Sequence, residues 1–211
     1  MGRVILASAS PRRRELLRYI CPDFEVIPSG ADETLDGPPA PAAAMTLALR
    51  KARAVAACAP GALILAADTL VVVEGDSLGK PADRDEARAM LRRLSGRPHE
   101  VITGVAVVDA KTGEERSAAA VSRVFMRELP PFEIDAYVAT GEPDDKAGAY
   151  AIQGDGGRLV AALLGSYTNV VGLPLPTARS LLAAAGAPLS AARSRPGAAA
   201  PGTGSRREAG A

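Results

Sequence analysis

A mixed α/β fold, an α+β arrangement with both strand directions in one sheet, is predicted by two patterns in this 211-residue chain. Short apolar strands alternate with helical patterns through its first half. Residues 99 to 126 then read as two antiparallel strands around the turn KTG, which an all-parallel sheet does not accommodate. Hydrophobic residues make up 47% of the chain, enough for one sizeable core. No apolar run approaches the roughly eighteen residues that a membrane span needs.

RVILA, residues 3 to 7, is the first strand, and a helix is predicted over 11 to 20. Ser10 can cap that helix, and Pro11 fits its first position. FEVIP, 24 to 28, is a short second strand. PAAAMTLALRKARAVAACAP predicts a helix ending at Pro60, with Met45, Leu49, Ala52, Val55 and Ala56 on one face and Lys51 beside it. ALILAADTLVVVEGDSLGKP is an apolar strand run longer than one average strand, expected to bend near Asp68 and to turn at GDSLG. Asp83 and Glu86 mark the start of the next helix, Met90, Leu91 and Leu94 give its apolar face, and Gly96 ends it. After the hairpin, a helix is predicted over 132 to 140, then a polar glycine-rich loop, GEPDDKAGAYAIQGDGG. Strands RLVAALL and SYTNVVGL and a helix over 176 to 185 follow.

Beyond residue 185 the composition changes. Ala, Gly, Pro and Ser supply 19 of the last 26 residues, too few branched or aromatic side chains to offset the entropy of ordering. The expected organisation is one domain over residues 1 to 185 and a disordered tail over 186 to 211. The chain carries +1; the tail, with four arginines and one glutamate, carries +3, which leaves −2 on residues 1 to 185. That body is no general field for nucleic acid, and seven aromatic residues offer little for base stacking. VILA leads straight into serines and arginines rather than into a signal-peptide core, so a cytoplasmic location is expected. Cys21 and Cys58 show no metal-ligand or redox spacing.

The chemistry is concentrated in a few stretches. In LASASPRRRELL, Arg12, Arg13 and Arg14 crowd a helix N-terminus that already carries partial positive charge, an arrangement that suits a bound phosphate. The alternative is a surface helix with solvated arginines. Asp68 lies inside LILAADTLVVV, where an unpaired carboxylate would cost several kcal/mol. Either Thr69 or a lysine compensates it, or it holds a divalent metal or activates water. Asp32, Glu33, Lys80 and Lys146 lie in loops, where function concentrates. His99 is the sole histidine, so serine-histidine catalysis and histidine-rich metal sites have little material. Gln153 offers a donor and an acceptor side by side, matching the imide face of uracil or thymine, or else bonds to its own loop.

Taken in order, LASASPRRRELL, the glutamate of ADE, the lysine of RKARA, AADT, LGKP, LSGRPHEVITGVAV and GEPDDKAGAYAIQG with GSYTNVVGLPL resemble the Maf family of nucleoside triphosphate pyrophosphatases, over about residues 3 to 182. The resemblance implies a fold like that of inosine triphosphate pyrophosphatases, with a cleft between two lobes. It also implies hydrolysis of dTTP and UTP to the monophosphate and pyrophosphate, since YAIQG with ADT looks like that branch. By motif position Asp68 is the general base, and Arg12, Thr69 and Gln153 bear on substrate choice. Ser8, Arg13, Lys51 and Lys80 line the phosphates, and Glu33 with Asp68 holds Mg²⁺ or Mn²⁺. Arg14 falls on a variable position and is expected to be solvated. The implied partner is a small-molecule nucleotide, with no nucleic acid and no membrane, and a homodimer as the candidate assembly. A rival reading is a nucleotide-binding regulator of cell division that does not cleave its ligand. Ala9 and Ala67 stand where the family commonly has glycine, which would matter only if the backbone there needs positive φ.

Overall fold

The computed structural model describes residues 2–35 and 37–190; the end of the predicted tail, 191 to 211, lies outside the described residues. Seven strands form one mixed sheet in the order β2-β1-β3-β5-β6-β7, with β4 paired to β3. They are β1 (Val4–Leu6), β2 (Glu25–Val26), β3 (Leu63–Val73), β4 (Asp76–Leu78), β5 (Pro98–Asp109), β6 (Glu115–Met126) and β7 (Val160–Leu164). β1 runs parallel to β2 and β3, and every other pairing is antiparallel. The helices are α1 (Pro11–Arg18), α2 (Pro41–Ala56), α3 (Arg84–Leu94), α4 (Pro131–Ala139), α5 (Tyr167–Val171) and α6 (Leu175–Ala184). Among the described residues, no helix is long and apolar enough to cross a membrane.

β3 organises the molecule. Its side chains alternate with the strand period of two. Ile64, Ala66, Leu70 and Val72 pack with residues of α2 on one face of the sheet. On the other face Leu63, Leu65 and Ala67 pack with Leu17 of α1 and Leu182 of α6, and Val71 and Val73 with Leu91 and Ile134 of α3 and α4. Asp68 falls in the α2 register and Thr69 in the opposite one. One edge of β3 is shared by two short strands: β1 pairs with Leu63 to Leu65, and β4 with Val71 to Val73. Neither reaches residues 66 to 70. The C-terminal ends of β1 and β4 approach this opening from opposite directions, so the segments that follow them, Ser8–Ser10 and Gly79–Lys80, converge beside Asp68. Ligands of open α/β sheets favour such a place, where neighbouring strands end and diverge.

Three expectations are corrected. β3 pairs with β5 in unbroken register from Leu63 to Val72, so no break in the ladder marks Asp68. The inward face of α2 is Ala44, Leu47, Ala48, Lys51, Ala52 and Val55, whereas Met45 and Leu49 are only half-buried. Lys51 therefore lies on the buried face rather than beside it, because that face meets Asp68 and so accepts a cation. SYTNVVGL is not a strand: Ser166 caps the short helix α5 by accepting from the Asn169 amide, and Gly172 ends it at φ 118°. The apolar pair at 170 and 171 resembled a strand, but the capping residues on either side decide the backbone. Near the predicted tail boundary, Ala187 and Leu189 pack against the α1–α6 cluster, and the Ser190 amide donates to the Ile20 carbonyl. Ala9 and Ala67 are both outside the left-handed region, so alanine is unstrained there.

Candidate functional site

A cleft of about 400 Å³ opens at the gap in β3, and every residue singled out for the site lines it: Ser8, Arg12, Arg13, Glu33, Lys51, Asp68, Thr69, Lys80 and Gln153. They come from six separate stretches of chain. Asp68 is 6% exposed, and Lys51, on the helix directly above it, is 5% exposed. Lys51 Nζ donates to Asp68 Oδ1 at 2.6 Å and lies 2.7 Å from Glu33 Oε1. This ammonium compensates the carboxylate in β3, and it gathers two acids into one place. Partial burial pushes the Glu33 carboxyl up, but the Lys51 hydrogen bond and charge, with Lys80 and Arg13 behind them, outweigh it and hold it below its ordinary range. Asp32, its neighbour, is used locally, accepting from the Thr34 amide and hydroxyl.

Arg13 reaches across the opposite face of β3. Its Nε donates to the Gly172 carbonyl at 2.8 Å, Nη2 to Thr69 Oγ1 at 3.0 Å and Nη1 to Ser8 Oγ at 3.4 Å. Three of its five N–H groups are thus committed, leaving two for a ligand. Burial pulls its pKa down, with Asp68 and Glu33 pushing it back up. It remains charged at any physiological pH. Thr103 Oγ1 donates to the Asn169 carbonyl at 3.1 Å, so the 2.9 Å hydrogen bond between Thr69 and Thr103 must use the Thr69 proton. A directed relay therefore runs from Arg13 through Thr69 and Thr103 to the backbone of α5. Asn169 anchors its far end, donating to Val101 O and Ser122 Oγ, both at 2.9 Å.

Arg12 faces the loop across the cleft, 3.9 Å from Asp145, whose carboxylate also receives Lys146. Arg14 is exposed. Arg13→Ala is expected to lower turnover at least about 100-fold, and Arg14→Ala to leave it within about twofold, because of the two only Arg13 places its charge in the cleft. Equal losses would show that the helix presents a different face. The sequence did not reveal Thr103, Asn169, Asp145 or Tyr150 as parts of the site. Only the pairing of Thr69 with Thr103 across β3 and β5 marks the first of them.

Beneath the cleft, His99 is 2% exposed and its Nε2 lies 2.7 Å from the Tyr150 hydroxyl, while Nδ1 has no partner among the described residues. Burial lowers its pKa from 6.5 to about 4. Between those values the unfolded chain binds the proton and the native chain does not. Stability from this group is therefore complete above pH 6.5 and declines as the pH falls toward 4, by up to about 3 kcal/mol. Urea midpoints measured across that range should fall less steeply in His99→Gln; an identical slope would assign the acid sensitivity elsewhere.

A family model described as Maf-like protein matches residues 3–185. A dTTP/UTP pyrophosphatase of Moorella thermoacetica is 56% identical over 184 residues, 87% of this chain and 95% of that protein. One from Pelotomaculum thermopropionicum is 50% identical over 183 residues, 86% of this chain and 96% of the other. Among solved structures, the Staphylococcus aureus Ham1 protein aligns at 15% identity with a TM-score of 0.46, over 59% of this chain and 72% of that one. Relatives at half identity or more thus match this chain over nearly their whole length, and this chain belongs to the Maf family.

Proposed function

We propose that this chain hydrolyses dTTP and UTP between the α- and β-phosphates, releasing the nucleoside monophosphate and pyrophosphate. The observation that carries the reading is the pair Asp68 and Glu33, held 2.6 and 2.7 Å from one lysine in a cleft that Arg12, Arg13 and Lys80 also line. A polyanion fits the cations. The acids need a reason to face it, and catalysis supplies one. The names of the relatives support the choice of dTTP and UTP.

In this reading Arg13, Lys51 and Lys80 grip the triphosphate, and Ser8 with the start of α1 receives an oxygen. Thr69, whose proton is spent on Thr103, acts by placing Arg13. Asp68 Oδ2, which makes no hydrogen bond among the described residues, takes the proton from the attacking water as the bond from the α-phosphorus to its bridging oxygen breaks. Glu33 and Asp68 suit a divalent cation: both are hard oxygen donors facing the same space, and substrate phosphates can complete a shell for Mg²⁺ or Mn²⁺. When bound, that ion neutralises charge developing on the phosphate oxygens. Gln153, half-buried on the far wall and without a side-chain hydrogen bond among the described residues, reads the base through its paired donor and acceptor.

A panel of nucleoside triphosphates incubated with Mg²⁺ or Mn²⁺ tests the proposal. Pyrophosphate should appear one for one with monophosphate, fastest from dTTP and UTP. Orthophosphate as the first product, or no turnover with either metal, would overturn it.

A further inference from the structure

Gln153 sits on a loop with no regular ladder to hold it, so something else must fix its position if it reads a base. Two side chains outside the cleft do this. Tyr137, buried near the end of α4, receives the Ala151 amide on its hydroxyl at 3.2 Å and donates to Glu142 Oε1 at 2.9 Å. Glu142, at the start of the 3-10 turn Glu142–Asp145, accepts the Gly156 amide on Oε1 at 3.0 Å and the Asp155 amide on Oε2 at 3.1 Å. Backbone amides two positions before and two and three positions after Gln153 are thus tied to one hydrogen-bonded pair. A carboxylate can accept from several donors at once, and a neutral phenol can both donate and accept. Burial, reinforced by Glu142, pushes the Tyr137 phenol up, so it stays protonated and can donate.

The glycines of the loop mark the same contact independently. A Cβ on Gly154, whose φ is +68°, would lie 2.7 Å from Glu142 Oε2. On Gly156 it would lie 2.5 Å from the Tyr137 hydroxyl and 2.3 Å from the Ala151 carbonyl. The backbone wraps so tightly on the pair that no side chain fits between them. We infer that Glu142 and Tyr137 are positioning residues for base discrimination, clamping the loop so that the Gln153 amide is presented to the base at a fixed distance and angle.

The inference rests on the reading of Gln153 as the base-contacting residue, and the experiment separates the two. The rate ratio kcat/KM for UTP over CTP is measured in the wild type, Glu142→Gln, Tyr137→Phe, Gln153→Ala and the Glu142→Gln, Gln153→Ala double variant, together with inhibition by pyrophosphate. A single amide oxygen cannot replace both carboxylate oxygens, and phenylalanine keeps the packing of Tyr137 while removing its hydroxyl. Each clamp variant should lose about fivefold to tenfold of the UTP preference, with pyrophosphate inhibition unchanged. The double variant should match Gln153→Ala alone, because both changes remove one function. If Gln153→Ala loses the preference while both clamp variants keep it, the clamp is overturned and base reading by Gln153 stands. Losses that add in the double variant, or that weaken pyrophosphate inhibition equally, would overturn it as well. If Gln153→Ala keeps the preference, the base reading fails and the clamp's role in discrimination fails with it. Should Glu142→Gln not fold, Tyr137→Phe with Gln153→Ala decides by the same comparison.

Discussion

Asp68→Asn is expected to reduce pyrophosphate release from dTTP and UTP by about 1,000-fold or more, since in the proposed mechanism it removes the general base and one of two carboxylates that face the triphosphate. The fold should survive. Asparagine keeps the shape of the side chain, its carbonyl oxygen can still accept from Lys51 Nζ, and that ammonium retains Glu33 at 2.7 Å. Turnover is therefore to be compared at matched circular dichroism, with the monophosphate and pyrophosphate both quantified. Activity within tenfold of the wild type would remove Asp68 from the chemistry and leave it as the buried partner of Lys51.

Gly104→Ala should destabilise the protein by about 3 kcal/mol, the upper part of the range for forcing an atom into a packed interior. Gly104 pairs with Asp68 across β3 and β5, so both point toward α2. There the helix backbone lies directly on the strand: a Cβ would sit 2.2 Å from the carbonyl carbon and oxygen of Ala44 and 2.5 Å from the Met45 amide nitrogen. Backbone cannot rotate away as a side chain can. Relief requires α2 to lift, and α2 carries Lys51, so loss of stability and loss of turnover should come together. Thermal unfolding should shift down by about 10 °C. An unchanged midpoint would mean that helix and strand are not held at this separation.

Much of the site was legible because its parts contradict their local surroundings. An acid inside an apolar strand, three arginines at a helix start and a glutamine in a glycine-rich loop each stand out from a single stretch of sequence. The motif order then links them, and all nine proposed site residues do line one cleft. The phase of α2 was misread because alanine is compatible with either side of a helix. Seven of its 16 residues are alanine, and Met45 and Leu49 mark the wrong face more loudly than Ala44 and Ala48 mark the right one. The strand reading of 166 to 173 failed for a related reason: two valines suggest β structure, while the serine cap and the glycine stop act on the backbone itself.

What the sequence by itself determined is which residue types are available to the chemistry and which local turns and caps the chain makes, since propensity, capping and turn geometry act between near neighbours. What only the tertiary structure decided is who meets whom. Lys51 pairs with Asp68 because α2 rests on Gly104, Arg13 is aimed by a relay ending in α5, and Gln153 is presented by a loop tied to Glu142. These are contacts between residues 13 to 159 positions apart. They follow from an edge of β3 that β1 and β4 share without filling, an arrangement set by the packing of the whole sheet and by no local pattern.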